Sequence, residues 1–364
     1  MLETKSLNAG YGKRIIVGNA DITVHKGEII TLIGSNGSGK STLLKTISSQ
    51  LEKISGDIYI QEKNISEYGR NELAKKLSVM LTGRTEPELM TCLELVESGR
   101  YPYTGTLGIL SAEDRKKAYN ALELVGGEDI ADTDINKTSD GQRQKIMLAR
   151  AICQDTDIMI LDEPTSYLDI KHKLELLTIL KKLVREKQTT VIMSLHELDL
   201  AQKISDRIIC VKNNKIDCTG TPDEIFSGDY INYLYDIKCG SYNDIYGFSE
   251  LEKICGKPEI FVISGGGAEI YRRLQRRGIP FVAGIVHEND AEYPVITALA
   301  SVIISEKAYE PISPEKINLA KNIIKNCREV ICLCGNFGTM NRGNLELLHF
   351  AEENNKLKKS PVQR

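Results

Sequence analysis

Gly34-Ser35-Asn36-Gly37-Ser38-Gly39-Lys40-Ser41 decides how the rest of this chain is read. The octapeptide fits G-x-x-x-x-G-K-[ST], the pattern of a loop that cradles phosphate. Its flanks suit it. Glu28–Ile33 (EIITLI) is short, apolar and β-branched, which predicts a buried strand, and Ser41–Gln50 predicts a helix. Glycines let the backbone curl so that successive N–H groups point at one anion, and the helix start adds the positive end of its dipole. Lys40 would reach the β- and γ-phosphates, the Ser41 hydroxyl would ligate Mg2+, and Thr42 completes the candidate phosphate site. A flexible glycine turn is the competing reading, which the strand–loop–helix context disfavours.

Downstream, Ile158-Met159-Ile160-Leu161-Asp162-Glu163 reads as an apolar strand ending in two carboxylates. Adjacent acids on an extended chain point different ways, which permits two roles. Asp162 would hold Mg2+ through water, and Glu163 would take a proton from, or orient, an attacking water. Taken alone such a pair is often solvated surface; behind a phosphate loop the catalytic reading wins. Asp157–Leu161 and Thr189–Leu195 are continuous apolar runs, as expected of strands covered on both faces of a parallel sheet. His172–Glu186 between them has helical periodicity, making a βαβ crossover. Thr91–Gly99, Ser111–Val125 and Gly141–Cys153 are helical in pattern, with no convincing strand, so a helical subdomain is expected at about 84–150.

What narrows the chemistry is Thr138-Ser139-Asp140-Gly141-Gln142-Arg143-Gln144. This stretch resembles the signature of ABC ATPases, usually LSGGQRQ, with Thr138 for leucine and Asp140 for the first glycine. The resemblance covers roughly residues 1–228. It implies a P-loop NTPase of ABC type, α/β in class, with a RecA-like core and a helical subdomain. It implies ATP and Mg2+ as cofactors and a homodimer in which Ser139, Gly141 and Gln142 of one copy face the triphosphate bound by the other. Ser139 and Gln142 have capping-box spacing, so they open a helix whose N–H groups can face an anion. Asp140 is expected to point away from that phosphate. In the same family an aromatic residue after the first strand lies against adenine, which assigns Tyr11; the alternative is an edge tyrosine. A histidine after the Thr189–Leu195 strand meets the γ-phosphate, which assigns His196 beside Glu163 and Lys40 in the catalytic set. Ser166-Tyr167-Leu168-Asp169 resembles the loop by which paired subunits touch. Thr82 stands where the family has a glutamine that senses Mg2+ and the membrane partner; Arg84 or a water could substitute.

Gly99-Arg100-Tyr101-Pro102-Tyr103 resembles a stretch found in ATPases serving importers of iron–siderophore, haem and cobalamin. There this surface receives a helix of the membrane protein; the alternative is a turn with two exposed tyrosines. The resemblance thus implies separate multi-span permease subunits, an extracytoplasmic substrate-binding protein met only indirectly, and a peripheral position on the cytoplasmic face of the membrane. A non-transport ABC ATPase, such as a scaffold component in iron–sulfur assembly, shares every ATP motif. A nucleotide-sensing regulator is the other rival.

A chain of 364 residues exceeds what one core usually organises, so two domains are expected. After residue 228 a tyrosine-rich linker with one or two short helices is expected to 258, then a smaller Rossmann-like α/β domain at 259–353, regulatory or dimer-stabilising. A basic tail, 354–364, is expected to fray. Gly265-Gly266-Gly267 could cradle an anion but lacks GxGxxG spacing, so a tight turn is favoured. A net charge of −3 argues against nucleic acid as a partner. Nine cysteines, none in CxxC spacing, indicate neither a disulfide framework nor a zinc site. No apolar run approaches the ~18–20 residues that span a bilayer.

Overall fold

A computed structural model describes residues 1–81, 90–105, 108–244, 247–263 and 266–358. The chain divides into two compact units, Met1–Tyr235 and Asp236–Arg364.

In the first unit, strands Ile29–Ile33, Thr190–Ser194 and Ile158–Asp162 lie side by side in parallel, with Leu77–Met80 beyond them. Arg207–Lys212 flanks Ile29–Ile33 on its other side, and Lys215–Gly220 closes that edge antiparallel. All residues of the first three strands are buried, as continuous apolar runs require when both faces of a sheet are covered. The carboxyl ends of three neighbouring strands therefore deliver Gly34, Leu195–His196 and Asp162–Glu163 to one rim. Helix Lys40–Ile47 buries Leu43, Leu44 and Ile47 in a core shared with Ile30, Leu32, Ile160 and Ile192. Each such side chain contributes roughly 1.5–3 kcal/mol by leaving water.

The same core is closed by an antiparallel sheet in the order Arg14–Val24, Leu2–Tyr11, Ser55–Ile60, Lys63–Asn64. The sequence points to a first strand ahead of Tyr11 but not to this sheet. Register shifts at Thr4/Leu7 and Leu7/Ala9 break the alternation that would have marked it. Helices Cys92–Glu97, Ala112–Leu124 and Asp140–Cys153 open with capping boxes at Thr91/Glu94, Ser111/Asp114 and Ser139/Gln142. These are the helical stretches expected from periodicity. Helix Ile170–Lys187 supplies the expected crossover.

The second unit is a doubly wound α/β layer structure. Its sheet is parallel throughout, in the order Val302–Glu306, Phe281–His287, Ile260–Ile263, Glu329–Cys332, Leu357–Lys358. Ile260 and Val262 face helices Ala268–Arg276 and Tyr293–Leu299, whereas Phe261 and Ile263 face Pro314–Asn326 and Arg342–Glu353. Two features add to the expected layout, and residues 359–364 lie outside the described residues. The stretch before this sheet holds a hairpin, Ser241–Asn243 with Phe248–Glu250, besides the short helix Tyr230–Leu234; Glu250 is tied down by Arg272. The basic end also contributes the strand Leu357–Lys358, because the Lys356 ammonium donates to the Ile324 and Cys327 carbonyls at a helix end. Among the described residues no helix is long and apolar enough to cross a membrane.

Candidate nucleotide site

The phosphate loop leaves the buried strand at Gly34, whose φ of 148° and contact with Val211 admit no side chain: a Cβ there would lie 2.2 Å from the Val211 carbonyl. Gly39, at φ 106°, is pressed against Val17 and Ile16. Gly37 also has positive φ, with open space around it. Ser35, Asn36 and Gly37 form the more open side of the curl, and Ser38 and Thr42 are buried. The Ser38 hydroxyl oxygen is buried without a hydrogen-bond partner, and it lies on the Gly34 side of the loop. An orphaned hydroxyl within a curl of backbone N–H groups suits a polar, anionic ligand. Lys40 donates to the carbonyls of Gly34 at 2.8 Å and Ser35 at 3.2 Å. Burial lowers the pKa of its ammonium, and the charges of Glu163 and Asp162 oppose that shift.

The two carboxylates are held differently. Asp162 is 1% exposed, and its Oδ1 accepts from Ser41 Oγ at 3.0 Å and Ser194 Oγ at 2.7 Å. Ser41 and Asp162 thus converge on one point as oxygen donors, the type that Mg2+ takes. Glu163 adopts φ 51°, a left-handed turn that swings it out of the strand line. Its N–H donates to Ser194 Oγ, its Oε2 accepts from Ser166 Oγ at 3.1 Å, and its Oε1 stands 2.5 Å from His196 Nε2. Sequence reading named neither Ser194 nor Gln144 as a site residue. The signal for Ser194 was a polar residue inside a buried apolar run. Gln144 reaches the Glu163 and Pro164 carbonyls from helix Asp140–Cys153.

Ser139 and Gln142 exchange the two bonds of the capping box, Gln142 N to Ser139 Oγ at 3.3 Å and Ser139 N to Gln142 Oε1 at 3.0 Å. Asp140 is exposed on the first turn. A Cβ on Gly141 would meet only ordinary contacts, at 3.6 Å from Leu168 and the Tyr167 carbonyl. Among the described residues nothing demands glycine there. Tyr11 ends its strand 54% exposed. Thr82 and Arg84 lie outside the described residues.

The Gly99–Tyr103 stretch divides into two kinds of residue. A Cβ on Gly99 would sit 2.5 Å from the Arg150 carbonyl, so helix Asp140–Cys153 requires the glycine. Arg100 is buried, pairs with Asp114 at 2.9 Å, donates to the Cys153 carbonyl and lies over the Tyr103 ring. Tyr101 and Pro102, together with Gly99, line a groove of about 1130 Å³ with Gln50, Arg70, Leu73 and Val79.

In the second unit, Gly267 has φ 137° and packs on Leu333, while the Ala268 N–H at the helix start is taken by Glu292 Oε1 at 3.0 Å. Gly265 lies outside the described residues, and the Glu292 carboxylate occupies the helix start where an anion would sit. His287 Nε2 bonds the Glu310 carbonyl at 2.9 Å, and no metal-binding group of three or more His, Cys, Asp or Glu occurs among the described residues.

Comparison with known proteins places this geometry. A family model described as ABC transporter matches residues 17–166, and one described as the MJ0874 family matches 281–359. The chain is 40% identical over 287 residues to the uncharacterized ABC transporter ATP-binding protein MJ0873 of Methanocaldococcus jannaschii, covering 78% of this chain and 99% of that one. It is 38% identical over 236 residues to the iron(3+)-hydroxamate import ATP-binding protein FhuC of Bacillus subtilis, covering 65% of this chain and 88% of that one. Its fold is similar to the dimeric ATP-binding cassette MJ0796 bound to ADP and Pi, with TM-score 0.56 and 28% identity over 61% of this chain and 99% of that one. With 40% identity along 99% of a relative, and a phosphate loop, acid pair and signature helix built as described, the chain belongs to the ABC transporter family as an ATP-binding ATPase.

Proposed function

We propose that this protein powers a membrane importer of an iron chelate, as a pair of copies that close on two ATP molecules. The observation that carries the reading is the knot at the strand rim: Ser41 and Ser194 on Asp162, with Glu163 beside it gripped by His196. Lys40 and the loop that Gly34 opens, through Thr42, bind the phosphates, and Tyr11 stacks on adenine. Ser41 and Asp162 would hold Mg2+, which would neutralise charge on the transferring phosphoryl group. Glu163 orients and deprotonates the attacking water, and His196 fixes the carboxylate and meets the γ-phosphate. Ser139, Gly141 and Gln142 complete the site bound by the opposite copy.

Two surfaces support the assembly. Tyr167 and Ile170, 80% and 79% exposed, and half-exposed Leu174 follow the Glu163 turn along the chain, apolar side chains suited to a second copy. The groove at Tyr101 and Pro102 suits a short helix of a separate permease, which would keep the protein at the cytoplasmic face of the membrane. An extracytoplasmic substrate-binding protein would then act on it only through that permease. Iron as cargo is supported by the iron(3+)-hydroxamate import relative and by the Gly99–Tyr103 stretch. Reconstitution of the chain with its permease in vesicles tests this. ATP-dependent uptake of iron(III)-hydroxamate is expected; a chain that hydrolyses ATP but neither co-purifies with a permease nor drives uptake contradicts it.

A further inference from the structure

The first glycine of the phosphate loop is held from a place that no ATP motif includes. The Gly34 N–H donates to the hydroxyl of Tyr235, 201 residues away, at 3.1 Å. Tyr235 is the residue at which the first unit ends. It follows helix Tyr230–Leu234, whose last carbonyls have no partner within the helix. Lys212 supplies one: its ammonium, on a residue 5% exposed, donates to the carbonyls of Tyr233 and Leu234 and lies over the Tyr233 ring. A cation at the negative end of a helix is favourably placed. Val211, next to Lys212, presses its carbonyl on Gly34. One strand end thus forms the wall behind Gly34 and anchors the helix that carries Tyr235.

Gly34 is engaged on both sides. Its carbonyl accepts from the Lys40 ammonium at 2.8 Å while its N–H is directed to Tyr235, and so is unavailable to a phosphate. We infer that Tyr235 is a positioning residue for ATP: with Lys212 it forms a strut that fixes the start of the loop, so that Lys40 and the remaining N–H groups are preset for the triphosphate. The strut lies within the cassette and does not touch the reacting atoms. Burial keeps the Tyr235 hydroxyl protonated, its pKa pushed up to about 12, so the support is constant across working pH.

Tyr235→Phe in the full-length chain removes only the oxygen and releases the Gly34 N–H from its fixed direction, so ATP must reorder the start of the loop as it binds. The KM and Kd for ATP with Mg2+ are therefore expected to rise about 5- to 30-fold. Turnover at saturating ATP should stay within about twofold, and the nucleotide-free melting temperature should change little. Lys212→Met should raise KM in the same direction, and the double variant should be no worse than the worse single one, because both cut one strut. Wild-type KM in Tyr235→Phe, or additive losses in the double variant, overturns the inference. Wild-type protein that fails to bind ATP would overturn the ATP reading on which it rests, a separate result.

Discussion

His196 Nε2 lies 2.5 Å from Glu163 Oε1, and the pairing of neighbouring strands puts it there. Asp162 stands opposite Ser194 in the parallel register, so the next residues on each strand emerge together at the rim. Ser194 adds a bond to each acid residue, to the Asp162 carboxylate and the Glu163 N–H. The site is therefore one hydrogen-bonded unit, and removing its members one at a time should give unequal losses.

Glu163→Gln keeps the shape of the side chain but not its basicity. ATP binding should be retained and turnover should fall by ~10²–10⁴, the usual worth of a general base. Steady-state phosphate release checks this; wild-type turnover would remove Glu163 from the reaction.

Gly141→Ala separates stability from activity. Among the described residues its new Cβ meets nothing closer than 3.6 Å, and alanine favours a helix over glycine by about 1 kcal/mol. Thermal unfolding should move up slightly while ATP hydrolysis drops, because the side chain enters the space of the other copy's phosphate. Equal loss of both properties would assign Gly141 to packing instead.

Arg100 and Tyr101 should part company in the same way. Arg100→Ala strands Asp114 in a half-dry site, and loss of one partner of a buried pair costs about 3–5 kcal/mol. Tyr101→Ala should stay within about 0.5 kcal/mol of wild type in denaturant titration, as surface changes do. It should nevertheless weaken co-purification of the permease.

Acid should loosen the second unit through Glu306. Burial raises the pKa of this carboxyl, but N–H groups of Ser313 and Lys307 and the Lys316 ammonium outweigh it and hold it at about 2. A depressed carboxylate pKa stabilises the fold above its unfolded value of about 4.3, and the contribution is lost as pH falls towards 2. Glu306→Gln should lower the melting temperature at pH 7 and flatten the pH dependence of unfolding between pH 5 and 2.

The buried parallel strands and the helices were legible because each writes a local signal: a continuous apolar run, or helical periodicity, joined at Ser139 and Gln142 by capping-box spacing. Leu2–Tyr11 hid its sheet because bulges scramble its alternation. The site was legible where chemistry forces residue type, at Lys40, Ser41, Asp162 and Glu163. Ser194 and Tyr235 were not, since each acts through one oxygen placed by tertiary structure. Arg100 sits in a stretch read as a partner surface, yet its buried side chain serves packing.

The central claim is that one copy's loop at Lys40 and the other's turn at Ser139 close on the same triphosphate. Sedimentation equilibrium of the Glu163→Gln chain with ATP and Mg2+ tests it most directly. The account predicts a species of twice the 40.5 kDa chain mass that reverts to one on nucleotide removal. A strictly monomeric protein at every concentration, with ATP bound and its permease present, would contradict it.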